Sequence, residues 1–148
     1  MGAASPWQRL CWRARNPQGI GERMKYAINA AQAPDAYGSC SQGTTAGRFV
    51  YTSGQLPVAP DGETIVGTTV ATQTSRVIDI IEAILAEVGC SLSDVAQTTV
   101  YLSRIEDFEA MDKVFAQRFP QPAPSRSVVA VSALPLGALV EMDCVACR

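Results

Sequence analysis

Histidine is absent from the 148-residue sequence. That removes the commonest general base, the commonest metal ligand and every Ser-His or Cys-His nucleophilic pairing. Chemistry, if any, falls to Glu, Asp, Arg, Cys, Tyr, backbone groups or water. Long apolar runs are missing too: nothing approaches the roughly 18 residues of a membrane span, and the most apolar helical stretch, 77–88, is broken by Asp79, Glu82 and Glu87. A soluble protein without a membrane partner is expected. There is no basic run. Arg9, Arg13, Arg15 and Arg23 against Glu22 give residues 1–23 three surplus positive charges, so an overall charge of -2 leaves the rest of the chain acidic. Nucleic-acid affinity comes largely from clustered Lys and Arg, so nucleic acid is not expected as a partner. The five cysteines, an odd number without framework spacing or a secretory signal, point to reduced thiols and a cytoplasmic setting. Cys144 and Cys147 spell C-x-x-C, but within a strand residues three apart point to opposite faces. No metal site is expected there.

What remains is an apolar content of 47%, enough for one core in a single domain. Residues 1–23 carry Trp7, Cys11 and Trp12 among the arginines with no periodic pattern. They read as an N-terminal extension, disordered or an artefact of start-codon choice, ahead of a domain at 24–148. Within that domain, Lys25–Asn29, 41–46 and Arg48–Ser53 read as strands and Gly54–Gly67 as a loop with a turn. Thr68 or Thr69 caps a long helix bearing Val77, Ile81, Ile84, Leu85 and Val88 at helical spacing, and Gly89 ends it. Val95–Leu102 is a strand entered from a turn at 91–94. Asp107 is expected to cap a second helix whose Phe108, Met111, Phe115 and Phe119 form a core stripe. Pro120, Pro122 and Pro124 end it, and the strands Arg126–Ser132 and Leu139–Cys147 close the chain. This order predicts an α+β fold with two helices packed on one face of a single sheet. Apolar residues on both strand faces favour an oligomer.

Several residues are candidates for chemistry. Arg126 opens a strand behind a proline-stiffened loop and is expected to project from the sheet end, where its planar fork suits a carboxylate; an exposed strand-end arginine is the plainer reading. Glu141 and Asp143 share one face of the apolar last strand, where carboxylates are costly unless partnered. Either that face lines a cavity with a cation such as Arg126, making Glu141 a candidate general base, or the strand is an exposed edge. Ser53 and Gly54 end a strand where backbone can approach a ligand closely. Cys40 lies in a Gly-Ser-Cys-Ser-Gln loop with no partner to activate its thiol.

The strings Phe49-Val50-Tyr51-Thr52-Ser53-Gly54-Gln55-Leu56-Pro57, Gln73-Thr74, Thr98-Thr99-Val100-Tyr101-Leu102, Pro124-Ser125-Arg126-Ser127, Ala133-Leu134-Pro135 and Gly137-Ala138-Leu139-Val140-Glu141 together resemble the Rid family. These are the YjgF-type reactive intermediate deaminases formerly described as endoribonuclease L-PSP. The resemblance spans residues 24–148. It implies a chorismate-mutase-like fold and a homotrimer with ligand clefts between subunits. It also implies cofactor-free hydrolysis of 2-imino acids, the tautomers of enamines, to 2-keto acids and ammonia. By the same resemblance Arg126 binds the substrate carboxylate, Glu141 places the attacking water, Gly54 lies beside the substrate and the Val128 carbonyl helps hold the water.

Some positions depart from the family pattern. Cys40 stands where the best deaminases carry a tyrosine, and Asp112 and Phe115 stand where Asn and Tyr are common. These departures keep two other readings open: a non-catalytic trimeric metabolite-binding or regulatory paralogue, and a pathway-specific deaminase of a catabolic enamine.

Overall fold

In a computed structural model the described residues are 25–148; the expected extension at 1–23 lies outside them. Six strands form one sheet: β1 (Lys25–Ile28), β2 (Gly43–Ala46), β3 (Phe49–Thr52), β4 (Val95–Leu102), β5 (Ser125–Ala130) and β6 (Val140–Cys147). Their order across the sheet is β1-β2-β3-β6-β4-β5. β4 and β5 run parallel and every other neighbouring pair is antiparallel.

Helix α1 (Val70–Glu87) begins where the Thr69 hydroxyl accepts the Thr72 N–H at 3.2 Å. That satisfies one of the amides left open at a helix start. It ends before Gly89, whose φ of +76° is a left-handed conformation that costs glycine little. Val77, Ile78, Ile80, Ile81, Ile84 and Leu85 recur along its buried side, each worth roughly 1.5–3 kcal/mol when removed from water.

Helix α2 (Phe108–Arg118) departs from expectation at its start. Residues Ile105–Asp107 already form a 3-10 turn, so Asp107 has helical rather than extended backbone and makes no side-chain cap. Its carboxylate pairs with Arg104 at 3.0 Å instead. Of the expected core stripe, Met111, Phe115 and Phe119 are buried, whereas Phe108 stays at the exposed rim. Arg118 fastens α2 to α1 through Asp79 (2.7 Å) and the Ser75 hydroxyl (3.2 Å).

Alternation along β6 divides the sheet. Val140, Met142, Cys144 and Ala146 are fully buried beneath the helices, while Glu141, Asp143, Val145 and Cys147 on the other face are half-buried. The two cysteines of the C-x-x-C string therefore point apart, as the strand reading requires. Among the described residues no helix covers the second face, and Phe49, Tyr51 and Val129 are exposed there.

Candidate active site

Parallel pairing sets Arg126 opposite Thr98 and Val128 opposite Val100 on the edge strand β5. Thr98 and Val100 are buried under the helices. Cross-strand neighbours share a face, so the Arg126 side chain turns toward α2 and does not project from the sheet end as expected. Its guanidinium lies over the Phe115 ring at 4.4 Å and within 5.7 Å of the Phe108 ring centroid. This cation–π contact is worth about 0.5–2 kcal/mol. Nη2 donates to Asp112 Oδ1 at 2.6 Å. The Arg126 side chain is 19% exposed and that of Asp112 is 44% exposed, so the cation is largely withdrawn from water while its partner stands at the rim. Val128 packs against the edge of the core. As β5 is an edge strand, its outer backbone groups lack a strand partner.

Glu141 pairs with Tyr101 on the opposite face. Burial, and then the charge of Asp143, push its carboxyl above the ordinary glutamate range. Tyr101 donates its phenol to Asp143 at 3.2 Å, and its own pKa is raised by burial and by that carboxylate. Among the described residues Glu141 has no hydrogen-bond partner, which leaves a half-buried acid able to exchange a proton with a bound molecule.

Gly54 brings backbone against this acid. Between the Tyr51↔Val145 pair and the Gln55↔Met142 bridge the register slips by one residue, the count of a β-bulge. The Gln55 N–H donates to the Met142 carbonyl at 2.8 Å and closes it. A Cβ built at Gly54 would overlap the Glu141 carboxylate. Glycine thus lets the backbone approach the acid closely, and a larger residue there would have to push the Glu141 carboxylate aside.

Ser53 tethers the preceding loop to the same corner. Its hydroxyl donates to the Ser41 carbonyl at 2.6 Å and its N–H to the Gln42 carbonyl at 3.0 Å. Cys40, one residue earlier, is exposed, with Sγ 3.1 Å from the Tyr37 carbonyl. The loop is locked by Gln42, a residue that sequence reasoning did not single out. Its buried side-chain amide accepts from the Ala30 N–H at 2.6 Å and donates to the carbonyls of Ala30 (3.2 Å), Ala33 (3.3 Å) and Pro34 (2.7 Å).

The candidate residues therefore form two groups. Arg126, Asp112 and Val128 gather between β5 and α2; Ser53, Gly54 and Glu141, with Cys40 on the adjoining loop, gather where β3 meets β6. Arg126 and Glu141 lie on opposite faces of one sheet. Within one chain the Glu141 face therefore does not bring that acid together with Arg126, because the ladder pairing puts the two residues on opposite faces.

The Endoribonuclease L-PSP family matches residues 30–148. This chain belongs to the Rid family. A RutC family protein of Pyrococcus abyssi is 41% identical over 122 residues, 82% of this chain and 96% of its own length. The human 2-iminobutanoate/2-iminopropanoate deaminase is 33% identical over 123 residues, 83% of this chain and 90% of its own. Among solved structures, E. coli TdcF with bound serine superposes with a TM-score of 0.77 at 31% identity, covering 83% of this Rid chain and 98% of TdcF.

Proposed function

We propose that this Rid protein hydrolyses 2-imino acids and their enamine tautomers to 2-keto acids and ammonia, in clefts between the subunits of a homotrimer with a chorismate-mutase-like fold. The observation that carries the reading is Arg126: a guanidinium largely withdrawn from water over the Phe115 ring, with Nε and Nη1 free of partners among the described residues. The second N–H of Nη2 together with its Nε or Nη1 neighbour still offers a two-donor edge that suits a bidentate carboxylate. The relatives that bear deaminase names support the same chemistry. Since Arg126 and Glu141 occupy opposite faces of one sheet, a small substrate touching both has to lie between two chains. The exposed Phe49, Tyr51 and Val129 provide apolar surface for that assembly.

Arg126 anchors the substrate carboxylate and so fixes the imine carbon. The Glu141 carboxylate accepts a proton from water as its oxygen bonds to that carbon, giving a tetrahedral aminol. Glu141 then hands that proton to nitrogen; as the C–N bond breaks and ammonia leaves with its electron pair, the aminol hydroxyl forms the C=O and returns its proton to Glu141, and the 2-keto acid remains. The Val128 carbonyl and the Gly54 corner hold the water and the substrate, so positioning supplies much of the rate. No cofactor or metal takes part in this scheme, and cytoplasmic placement suits it.

The test is keto acid release from imines freshly generated from several amino acids. Wild type should accelerate it, and Arg126→Ala should lose about 10- to 100-fold in kcat/KM, the range of one charge-assisted contact. Equal rates for the two proteins would refute the reading. A metabolite-binding module is the second reading, favoured by Asp112 already occupying Arg126; tight 2-keto acid binding without turnover would establish it.

A further inference from the structure

Arg126 holds an anion before any ligand arrives. Nη2 donates to Asp112 Oδ1 at 2.6 Å, and this single prong is the only hydrogen bond of the guanidinium among the described residues. Its position does not rest on that bond alone, for the Phe115 ring at 4.4 Å and the Phe108 ring at 5.7 Å also hold the group. Asp112 therefore contributes charge more than orientation. Its side chain is 44% exposed, so the negative charge stands at the mouth of the place where a ligand carboxylate would take the free edge of the fork.

Arginine offers five donors. One carboxylate on one N–H of Nη2 and a second across the two-donor edge that uses the other can be held together, but the two anions then lie close to each other around one cation. A ligand with a single carboxylate brings this arrangement to a net charge of minus one. A ligand with a second carboxylate adds another negative charge near Asp112, and like charges in a partly desolvated site repel.

We infer that Asp112 is the specificity-determining residue of this carboxylate site, selecting acids that carry one negative charge and an uncharged side chain and rejecting dicarboxylic acids. The inference rests on the assignment of Arg126 as the carboxylate anchor. It goes beyond that assignment by naming the substrate class.

The experiment measures binding of 2-oxobutanoate and 2-oxoglutarate to the full chain by calorimetry, for wild type, Asp112→Asn, Asp112→Ser and Arg126→Ala. Asparagine keeps an oxygen acceptor for Nη2 and removes the charge. Wild type should prefer 2-oxobutanoate. Asp112→Asn should tighten 2-oxoglutarate about five- to tenfold and 2-oxobutanoate only about twofold, as expected for a partly screened like charge. Added salt should shrink the difference. Asp112→Ser, which also lacks the charge, should move the selectivity ratio in the same direction. A purely structural role for Asp112 would weaken both ligands together and leave their ratio fixed, and that result would overturn the inference. Failure of the underlying reading shows up separately. Unchanged binding by Arg126→Ala removes the anchor itself, while absence of turnover in wild type removes the deaminase reading and leaves the ratio measurable.

Discussion

The two faces of the sheet use one strand for two purposes. Along β6, Val140, Met142, Cys144 and Ala146 sit in the core, and burial pushes the Cys144 thiol up to about 12. On the other side Glu141 and Asp143 keep partial contact with water, and the charge of Asp143 bears on Glu141. The first face is satisfied by its own helices. The second carries half-buried acids beside exposed aromatics, a combination that a finished monomer surface has little use for. Along β6 the core side chains and the half-buried acids are thus separated by the two-residue period of a strand, so substitutions along β6 and in the core beneath it should divide the same way, while Arg126 at the edge of the covered face stands outside that division.

The largest expected effect is on the covered face. Ile81→Ala should cost about 2–5 kcal/mol of stability through lost burial and the cavity left behind, seen as a lower denaturation midpoint in urea, while kcat/KM per folded molecule stays near wild type. Loss of activity without loss of stability would break the division. On the open face, Val129→Glu should leave secondary structure intact yet raise the subunit dissociation constant about a hundredfold or more by burying an unpaired charge, as read by sedimentation. An unchanged oligomeric state would mean that this face meets no other subunit.

Glu141→Gln should produce a smaller, pH-dependent change. A carboxyl whose pKa is raised on folding binds more protons in the native state than in the unfolded one, so stability falls as pH rises from the ordinary glutamate range through the folded pKa. The Gln variant lacks this fall. Above that window it should be the more stable protein, by under about 1 kcal/mol because water screens a half-buried group, while its imine hydrolysis is lost. Equal pH profiles of stability would show that Glu141 is not desolvated. Smallest of all, Gly54→Ala should displace the Glu141 carboxylate and cost about two- to tenfold in kcat. Shortening the acid by Glu141→Asp in the same chain should recover part of that loss, and independent effects would separate the two residues.

Much of this arrangement was legible in the sequence. Helix α1 carries both its cap and its stop in local residues, Thr69 and Gly89, and β6 shows its alternation without help from the rest of the chain. The common face of Glu141 and Asp143 follows from that alternation alone. The face of Arg126 did not follow, because it depends on which residue of β5 pairs with Thr98. A slip of one residue in that pairing would send the guanidinium to the other side, and the proline segment 120–124 does not fix the register. Asp107 misled for a related reason: a cap needs extended backbone, and the 3-10 turn before α2 removed it. Gln42 was invisible because its partners are peptide groups 8 to 12 residues away, a closure no local pattern announces.

The lock made by Gln42 bears on how such a protein can change over time. Its amide reads only peptide groups of Ala30, Ala33 and Pro34, and no side chain of the loop it fastens. Side chains of residues 35–40 other than Gly38, whose φ of +71° favours glycine, can therefore be exchanged without touching this attachment, provided Gln42 stays. Cys40 occupies such a position on the loop beside the Ser53 corner, so its side chain can vary one substitution at a time while the core that keeps the protein folded is left alone.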